Sequence, residues 1–568
     1  PVGLYDLAVE ASGFRRAESN GIRLQVNDAL RQDFALTLGS ATESVSVQAA
    51  AVTVDTTTAT LRTVVDQKRI EELPLNGRNP LQLMTLVSGV VPDRTDTGAR
   101  QTTYPGGLSV SVNGGRGNAT NYVLDGAQHN DHYTNSANPL PNPDALQEFS
   151  VQTNNFSAEY GRMAGGVVNA VTRSGTNEFH GVVFEYLRNN AVNAANFFAP
   201  IRNGVKANDG LKRNQFGASA GGPVWIPSLY NGRDRTFFFF SYQGTRTRVT
   251  PSNISSVVPT AARRSGDFSD LSRALRNPFG GGVYPNNQIP RSQLDPVVKQ
   301  VVDNYIPIPS SPTGQLQYFV PSGSDDNQYL VRGDHAIGGS HRLSGRFWRA
   351  KAAALPFLGS DNYLALVAGD NWFNQSVSLS DTHTVSPTLL NQMLFSFTRS
   401  NGGNTPITPA KSLTELGARI YSDPNPRYHF AVAGYFTMNT LNTNVFLRDE
   451  YQVSDTVRWS RGKHQITFGG EYGRGIGDIT DNNLRSGSFT FNASAPFTGD
   501  SMADFLIGRF QNFNQATGEF KENRFNLFAL HFQDTIKVAR RLNVDVGLRW
   551  EPHFPNTDLR GRLAAWRP

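Results

Sequence analysis

The chain contains no cysteine in 568 residues, which excludes a disulfide framework and any thiolate metal site. It also lacks an apolar run near the roughly 18 residues that carry a helix across a bilayer. The densest run, Phe237–Phe240, lies inside a strand-like pattern. A helical membrane protein is therefore excluded, whereas a barrel, which crosses with thin alternating strands, is not. Lys and Arg form no block despite a net charge of +6. That balance reads as solvated loops and lumen, with no nucleic-acid footprint. The N-terminus lacks the charged, apolar and small-residue order of a signal peptide. Pro1 falls in mid-strand, so residues are expected to precede it. No H-E-x-x-H zinc motif occurs, and no carboxylate pair can be assigned to acid/base work, so the chain is read as a non-enzyme without catalytic, metal or cofactor residues.

What the chain has in quantity is glycine and phenylalanine, 53 and 36 residues, on a polar background of mean hydropathy −0.39. That suits a β-protein with many turns, or a barrel with a polar interior. The organising stretch is Phe156–Asn177, FSAEYGRMAGGVVNAVTRSGTN. Twin glycines Gly165 and Gly166 suit close backbone packing or a positive φ before a short apolar strand, Val167–Val171.

Before it, Gly3–Phe14 alternates Tyr5, Leu7, Val9 and Ala11 against Asp6, Ala8 and Glu10, and Ile22–Val26 and Phe34–Leu38 repeat the period. Thr42–Val47 is a short extended segment, and Gln67–Leu73 a helix stopped by Pro74. Leu75–Pro92 opens on an Asn76–Gly77 turn and continues as a helical face of Leu81, Leu83, Met84 and Val87, closed by Gly89. Leu108–Gly117 and Asn121–Gly126 read as strands, the latter ending in an Asp125–Gly126 turn. Asp144–Gln152 reads as a short helix or strand.

After it, about eleven alternating segments follow at Phe179–Arg188, Arg213–Gly221, Phe238–Thr245, Gln328–Ile337, Arg342–Lys351, Gln375–Thr384, Leu390–Arg399, Arg448–Trp459, His464–Tyr472, Phe528–Thr535 and Leu542–Trp550. Phe238, Phe532 and Trp550 are expected on the lipid face or in the girdle. Short turns alternate with long segments at Asn189–Lys212, Val249–Asp326, Gly402–Leu447 and Arg474–Asn523. Such alternation marks an up-and-down barrel with small turns at one end and large loops at the other.

Three strings carry a resemblance. LPLNGRN (Asn76, Gly77, Arg78, Asn79), NYVLDG (Leu124, Asp125, Gly126) and EYGRMAGG (Tyr160, Gly161, Arg162, Gly165, Gly166) stand in the order and spacing of the plug domain of TonB-dependent outer-membrane receptors. The sequence is most similar to the Oar-like subgroup, and its first strands resemble the end of a carboxypeptidase-regulatory-like, Ig-like sandwich. The resemblance implies a mainly β fold: residues 1–48 from that sandwich, a small α+β plug over 52–176, and over 177–568 an antiparallel transmembrane barrel. Barrels of this kind have about 22 strands, so only the N-terminal half is expected in this chain.

It further implies energy-coupled uptake of a scarce small or oligomeric nutrient in the bacterial outer membrane. The partners would be outer-membrane lipid and a periplasmic TonB protein with ExbB and ExbD. Glu43, Ser44, Val45, Ser46 and Val47 resemble the TonB box, captured by strand addition; a plain linker is the other reading. A non-transporting surface or adhesion protein on the same barrel is the alternative function. Arg78 and Arg162 are expected either to hold the plug against acidic residues of the barrel or to make local salt bridges to loop carboxylates, and Asp125 to cap a turn. His129, Asp131 and His132 are either a substrate contact or polar loop residues without a ligand.

Overall fold

The structure, a computed structural model, describes residues 3–562 except 27, 29–31, 33, 40–43, 49–58, 94–108, 196, 198–200, 203–204, 207–209, 310, 360–361, 406, 408–410, 424–426, 441–442, 494–496 and 540–541. Three units follow in order. The first is a three-stranded sheet of β1 (Gly3–Val9), β2 (Arg16–Leu24) and β3 (Ser44–Gln48), in which β3 runs parallel to β2. Phe34–Leu38, expected as a strand, contributes only one bridge, Leu38 to Phe14. The pairing partner for β2 is instead supplied by the later Ser44–Gln48 segment.

The second unit is a mixed five-stranded sheet in the order β4 (Leu61–Asp66), β7 (Leu146–Asn154), β8 (Val167–Thr172), β5 (Asn121–Leu124) and β6 (Ala127–Gln128). Its helix α1 (Gln67–Glu72) starts where the Asp66 carboxylate accepts from the Arg69 N–H, and it ends before Pro74. The expected helical face over Leu81–Val87 is a 3-10 turn, Pro80–Leu86, opened by the Asn79 side chain. Leu81, Leu83 and Met84 nonetheless enter the core with Leu124, Phe149 and Val168. The expected Leu108–Gly117 strand shrinks to Val110–Val112.

The twin glycines serve close approach, since neither has a positive φ. A Cβ on Gly165 would stand 2.8 Å from the Ala119 carbonyl oxygen, and one on Gly166 would stand 3.0 Å from that of Gln152.

The third unit is an antiparallel sheet whose continuous wall has eleven strands, all at the expected places, with a short twelfth, Thr557–Asp558, paired to the tenth. The eleven are β9 (His180–Asn189), β10 (Leu211–Pro223), β11 (Thr236–Val257), β12 (Gln315–Ile337), β13 (His341–Ala354), β14 (Gly369–Ser386), β15 (Leu389–Thr405), β16 (Asn444–Arg461), β17 (His464–Asp481), β18 (Glu519–Ala539) and β19 (Leu542–Trp550). The wall curls around the second unit without closing, because β9 and β19 do not pair with each other. Side chains alternate as the sequence suggested: Phe532, Leu548 and Trp550 are exposed outward, and Ser241, Gln243 and Trp348 are buried inward.

Several strands run far past the ten or so residues that a tilted crossing needs: β11 has 22 residues and β12 has 23. The expected long connections are therefore shorter, and they are not independent. The described residues of segments 258–314, 406–443 and 482–518 fold together into one cap. A hairpin from the second (His429–Val432, Phe436–Asn439) and two strands from the third (Ser488–Phe491, Asn512–Asn514) make one four-stranded sheet. Helix α2 (Pro296–Tyr305) comes from the first segment and α3 (Ser501–Leu506) from the third. Their shared core includes Val301, Phe268, Tyr428, Phe430, Phe491 and Phe505. Asp500 joins all three. Its buried carboxylate accepts from Arg273 at 2.5 Å and from the Tyr435 hydroxyl at 2.6 Å, and it caps α3 through the Met502 and Ala503 amides.

Asp500→Ala leaves two helix amides, a phenol and a guanidinium without this acceptor, a loss of about 3 kcal/mol in the cap. Hydrogen exchange should quicken across 258–314, 406–443 and 482–518 together, with the wall strands unchanged.

Candidate functional site

Each of the three motifs meets a different sector of the wall. In the first, Gly77 and Arg78 both take left-handed backbone, with φ of 73° and 53°. That turn aims Asn76, Gly77 and Arg78 outward. The Asn76 side-chain oxygen accepts from Arg188 and Arg213 at 3.1 Å each, and the Gly77 carbonyl from Gln215 at 3.1 Å. Arg78 donates to Gln243 at 3.0 Å and pairs with Asp144, its guanidinium lying 4.5 and 4.3 Å from the ring centres of Phe184 and Tyr186. Its acidic partner thus belongs to the plug-like domain, and its wall contacts are an amide and two rings of β9 to β11. Burial pushes the Asp144 carboxyl up, and the Arg78 charge opposes that shift.

In the second motif, Leu124 is fully buried while Asp125 and Gly126 form the left-handed turn between β5 and β6. Asp125 does more than close this turn. Its carboxylate accepts from the Thr172 amide and hydroxyl, both at 2.9 Å, and faces Arg346 at 3.2 Å and Arg332 at 3.4 Å. One carboxylate therefore ties the turn, β8, β12 and β13 together.

In the third, Arg162, at φ 65°, reaches Glu450 of β16 at 2.7 Å. Gly161 leaves room for a wall side chain, since a Cβ there would stand 2.0 Å from Arg549 Nε. Arg549 of β19 donates to the Glu159 carbonyl at 2.9 Å and pairs with Glu471 of β17 at 3.3 Å. The Glu159 carboxylate pairs with Arg458 at 2.8 Å. The Tyr160 hydroxyl accepts from Asn169 at 3.4 Å.

The structure places His129, Asp131 and His132 on one loop but gives them separate duties. Asp131 pairs with Arg448 at 2.7 Å, with side chains only 3% and 2% exposed. His129 lies against Pro139 O at 2.9 Å and edge-on to Trp348 at 5.6 Å. Burial holds its imidazole down to about 4. His132 packs on the Phe525 ring at 4.9 Å, and burial lowers it too. Among the described residues no group of three His, Asp or Glu could hold a metal.

Glu43 lies outside the described residues. Ser44, Val45, Ser46 and Val47 form most of β3, paired through backbone with Arg16–Ser19. Gly217–Gly221 has the G-x-S-x-G spacing of a nucleophile elbow, but it lies inside β10, where Ser219 faces Ser241.

Sequence reasoning missed the wall partners Arg332, Arg346, Arg448, Arg458, Glu450, Glu471 and Arg549. Each sits on the polar face of an alternating strand, where a charged residue is expected whether or not it has a partner.

A model of the TonB-dependent Receptor Plug Domain matches residues 53–168, and one of the Outer membrane beta barrel domain matches residues 171–568. The TonB-dependent transporter Oar of Myxococcus xanthus is 30% identical over 254 residues, 44% of this chain and 23% of that one. Solved structures with similar chains include the outer membrane transporter YddB from Escherichia coli, at 14% identity and TM-score 0.48, covering 86% of this chain and 56% of the other. The siderophore receptor PirA from Acinetobacter baumannii gives 13% identity and TM-score 0.49, covering 87% and 56%. The chain thus spans under a quarter of that curated relative and a little over half of these solved structures.

Two outcomes test this interface. Arg162→Ala strands the buried Glu450 carboxylate and should loosen the plug by about 3–5 kcal/mol; a double-mutant cycle with Glu450→Gln should show strong coupling. Because the His129 imidazole titrates below its ordinary value, the unfolded plug binds the extra proton between about 6.5 and about 4. Plug stability should therefore fall as pH drops through that window, by about 3 kcal/mol in total. Chemical unfolding at pH 7 and pH 5 should show the fall, and His129→Gln should reduce it to the part His132 contributes.

Proposed function

We propose that this chain, which belongs to the outer membrane beta barrel family and carries a TonB-dependent receptor plug, takes up a scarce solute by energy-coupled movement of that plug. The protein is an outer-membrane receptor of the Oar-like type, in a family of transporters and not of enzymes. The finer reading rests on one observation: the plug is keyed to three wall sectors by ion pairs and hydrogen bonds, with ring and apolar contacts between them. A polar seam can exchange its partners for water when it parts, at modest net cost. An apolar seam of the same area would resist parting by about 25 cal/mol for each Å² re-exposed. A seal meant to open is better built the first way.

In this reading the cap faces the outside, and its surface and the exposed Tyr133 of the upper plug loop select the solute. A periplasmic TonB protein, driven by ExbB and ExbD, captures the segment Glu43–Val47 and pulls. Outward aromatic residues sit in outer-membrane lipid. The solute is a small or oligomeric nutrient whose identity depends on the loops.

The test is single-channel conductance in planar bilayers of the full-length protein, with and without residues 53–168. A silent intact protein and a conducting deletion are expected. Conductance by the intact protein would make the plug no gate. Silence of both would favour the surface or adhesion role.

A further inference from the structure

The inner face of β13 and β14 carries a ladder in which Arg346 stands opposite Ser378, Trp348 opposite Ser376, Ala350 opposite Asn374, and Ala352 opposite Trp372. The plug lies directly on it. Asn138 Oδ1 accepts from Asn374 at 2.7 Å, His129 meets Trp348, Asp125 meets Arg346, and Ala145 packs in the same cluster as Trp348, Ala350 and Trp372. Apart from the partly buried Asp125, these side chains are buried, with Trp348 at 0% and Arg346 at 4% residue exposure.

Yet Arg346 Nη1 and Nη2, Trp348 Nε1 and Trp372 Nε1 have no hydrogen-bond partner, and neither do Ser376 Oγ, Asn374 Oδ1 and Asn138 Nδ2. Buried polar groups are rarely left so, because each orphan costs about 1–3 kcal/mol. The guanidinium and indole nitrogens can only donate. Whatever satisfies them must present acceptor oxygens: water at rest, or a carboxylate, phosphate or sulfate group on a solute. The opposite wall carries both signs, Glu450 and Glu471 beside Arg448, Arg458 and Arg549.

We propose that the β13–β14 ladder, from Trp372 down to Arg346, is a donor-lined seam that holds water in the resting protein and forms the wall of the path for an oxyanion-bearing solute when the plug moves. This rests on the transport reading above. It adds the side of the lumen that opens and the charge of what passes. Rings of Arg and Lys select anions in pores by the same electrostatics. A solute bearing a carboxylate would meet Trp372 first and Arg346 last, close to the short-turn end of β13.

These 568 residues contain no cysteine, so an introduced thiol is the only one among them. Ser376→Cys, on the ladder, and Ala529→Cys, opposite Glu471 on β18, are each made in the full-length protein in intact cells. They are treated with anionic sulfonatoethyl and cationic trimethylammonioethyl methanethiosulfonate, with and without a functioning TonB system. With coupling on, Ser376→Cys should react at least about tenfold faster with the anionic reagent than with the cationic one, by local focusing of charge. Ala529→Cys should show no such preference. Adding Arg346→Gln to Ser376→Cys should abolish the preference, and adding Arg346→Lys should keep it. Equal reactivity with both reagents at Ser376→Cys would overturn the inference while leaving plug movement intact. If coupling changes reactivity at neither position, the transport reading itself falls, and this inference with it.

Discussion

A buried guanidinium must find a carboxylate, and a buried carboxylate must find donors, or the fold loses several kcal/mol at that point. The seating of the plug follows from this constraint. Arg162 has one place to go, beside Glu450, and Asp125 has one, between Arg332 and Arg346. The two anchors carry opposite charge on different sectors of the wall, so a plug turned about the barrel axis would set like charges against each other. Hydrophobic packing alone would not specify that rotation, because apolar contact is non-directional. The plug keeps its own apolar core for internal stability and meets the wall through polar keys.

The glycines of the motifs make the keys possible. Gly77 turns the chain so that Arg78 can reach past Asp144 to Gln243, and Gly161 clears the space through which Arg549 passes. Each motif thus joins a conformational residue to a chemical one, and a side chain at the first would misplace the second even with the charge retained.

Much of this was legible in the sequence. The wall strands are read from alternation, because Leu542–Trp550 and His464–Tyr472 can bury only one face. Their lengths were not legible, since beyond the bilayer both faces of β11 and β12 are wetted or covered by the cap and the period fades. The plug motifs were recognisable, but their partners were not: pairing Arg162 with Glu450 links residues 288 positions apart, a distance that no local pattern spans. Phe34–Leu38 alternates as well as any strand, yet its edge is filled by Ser44–Gln48. Periodicity names candidates for an edge and leaves the competition between them to tertiary structure.

The cap has a consequence of another kind. Its three segments share one core and converge on Asp500, so a change at Phe430, from the second, is felt by Phe505, from the third, 5.6 Å away. Loops that are free of one another can diverge one at a time as targets change. These cannot. In this lineage new recognition should arise in the skin of the cap, or by replacement of all three segments at once. Sequence drift confined to one of them would be a sign that the shared core had already been lost.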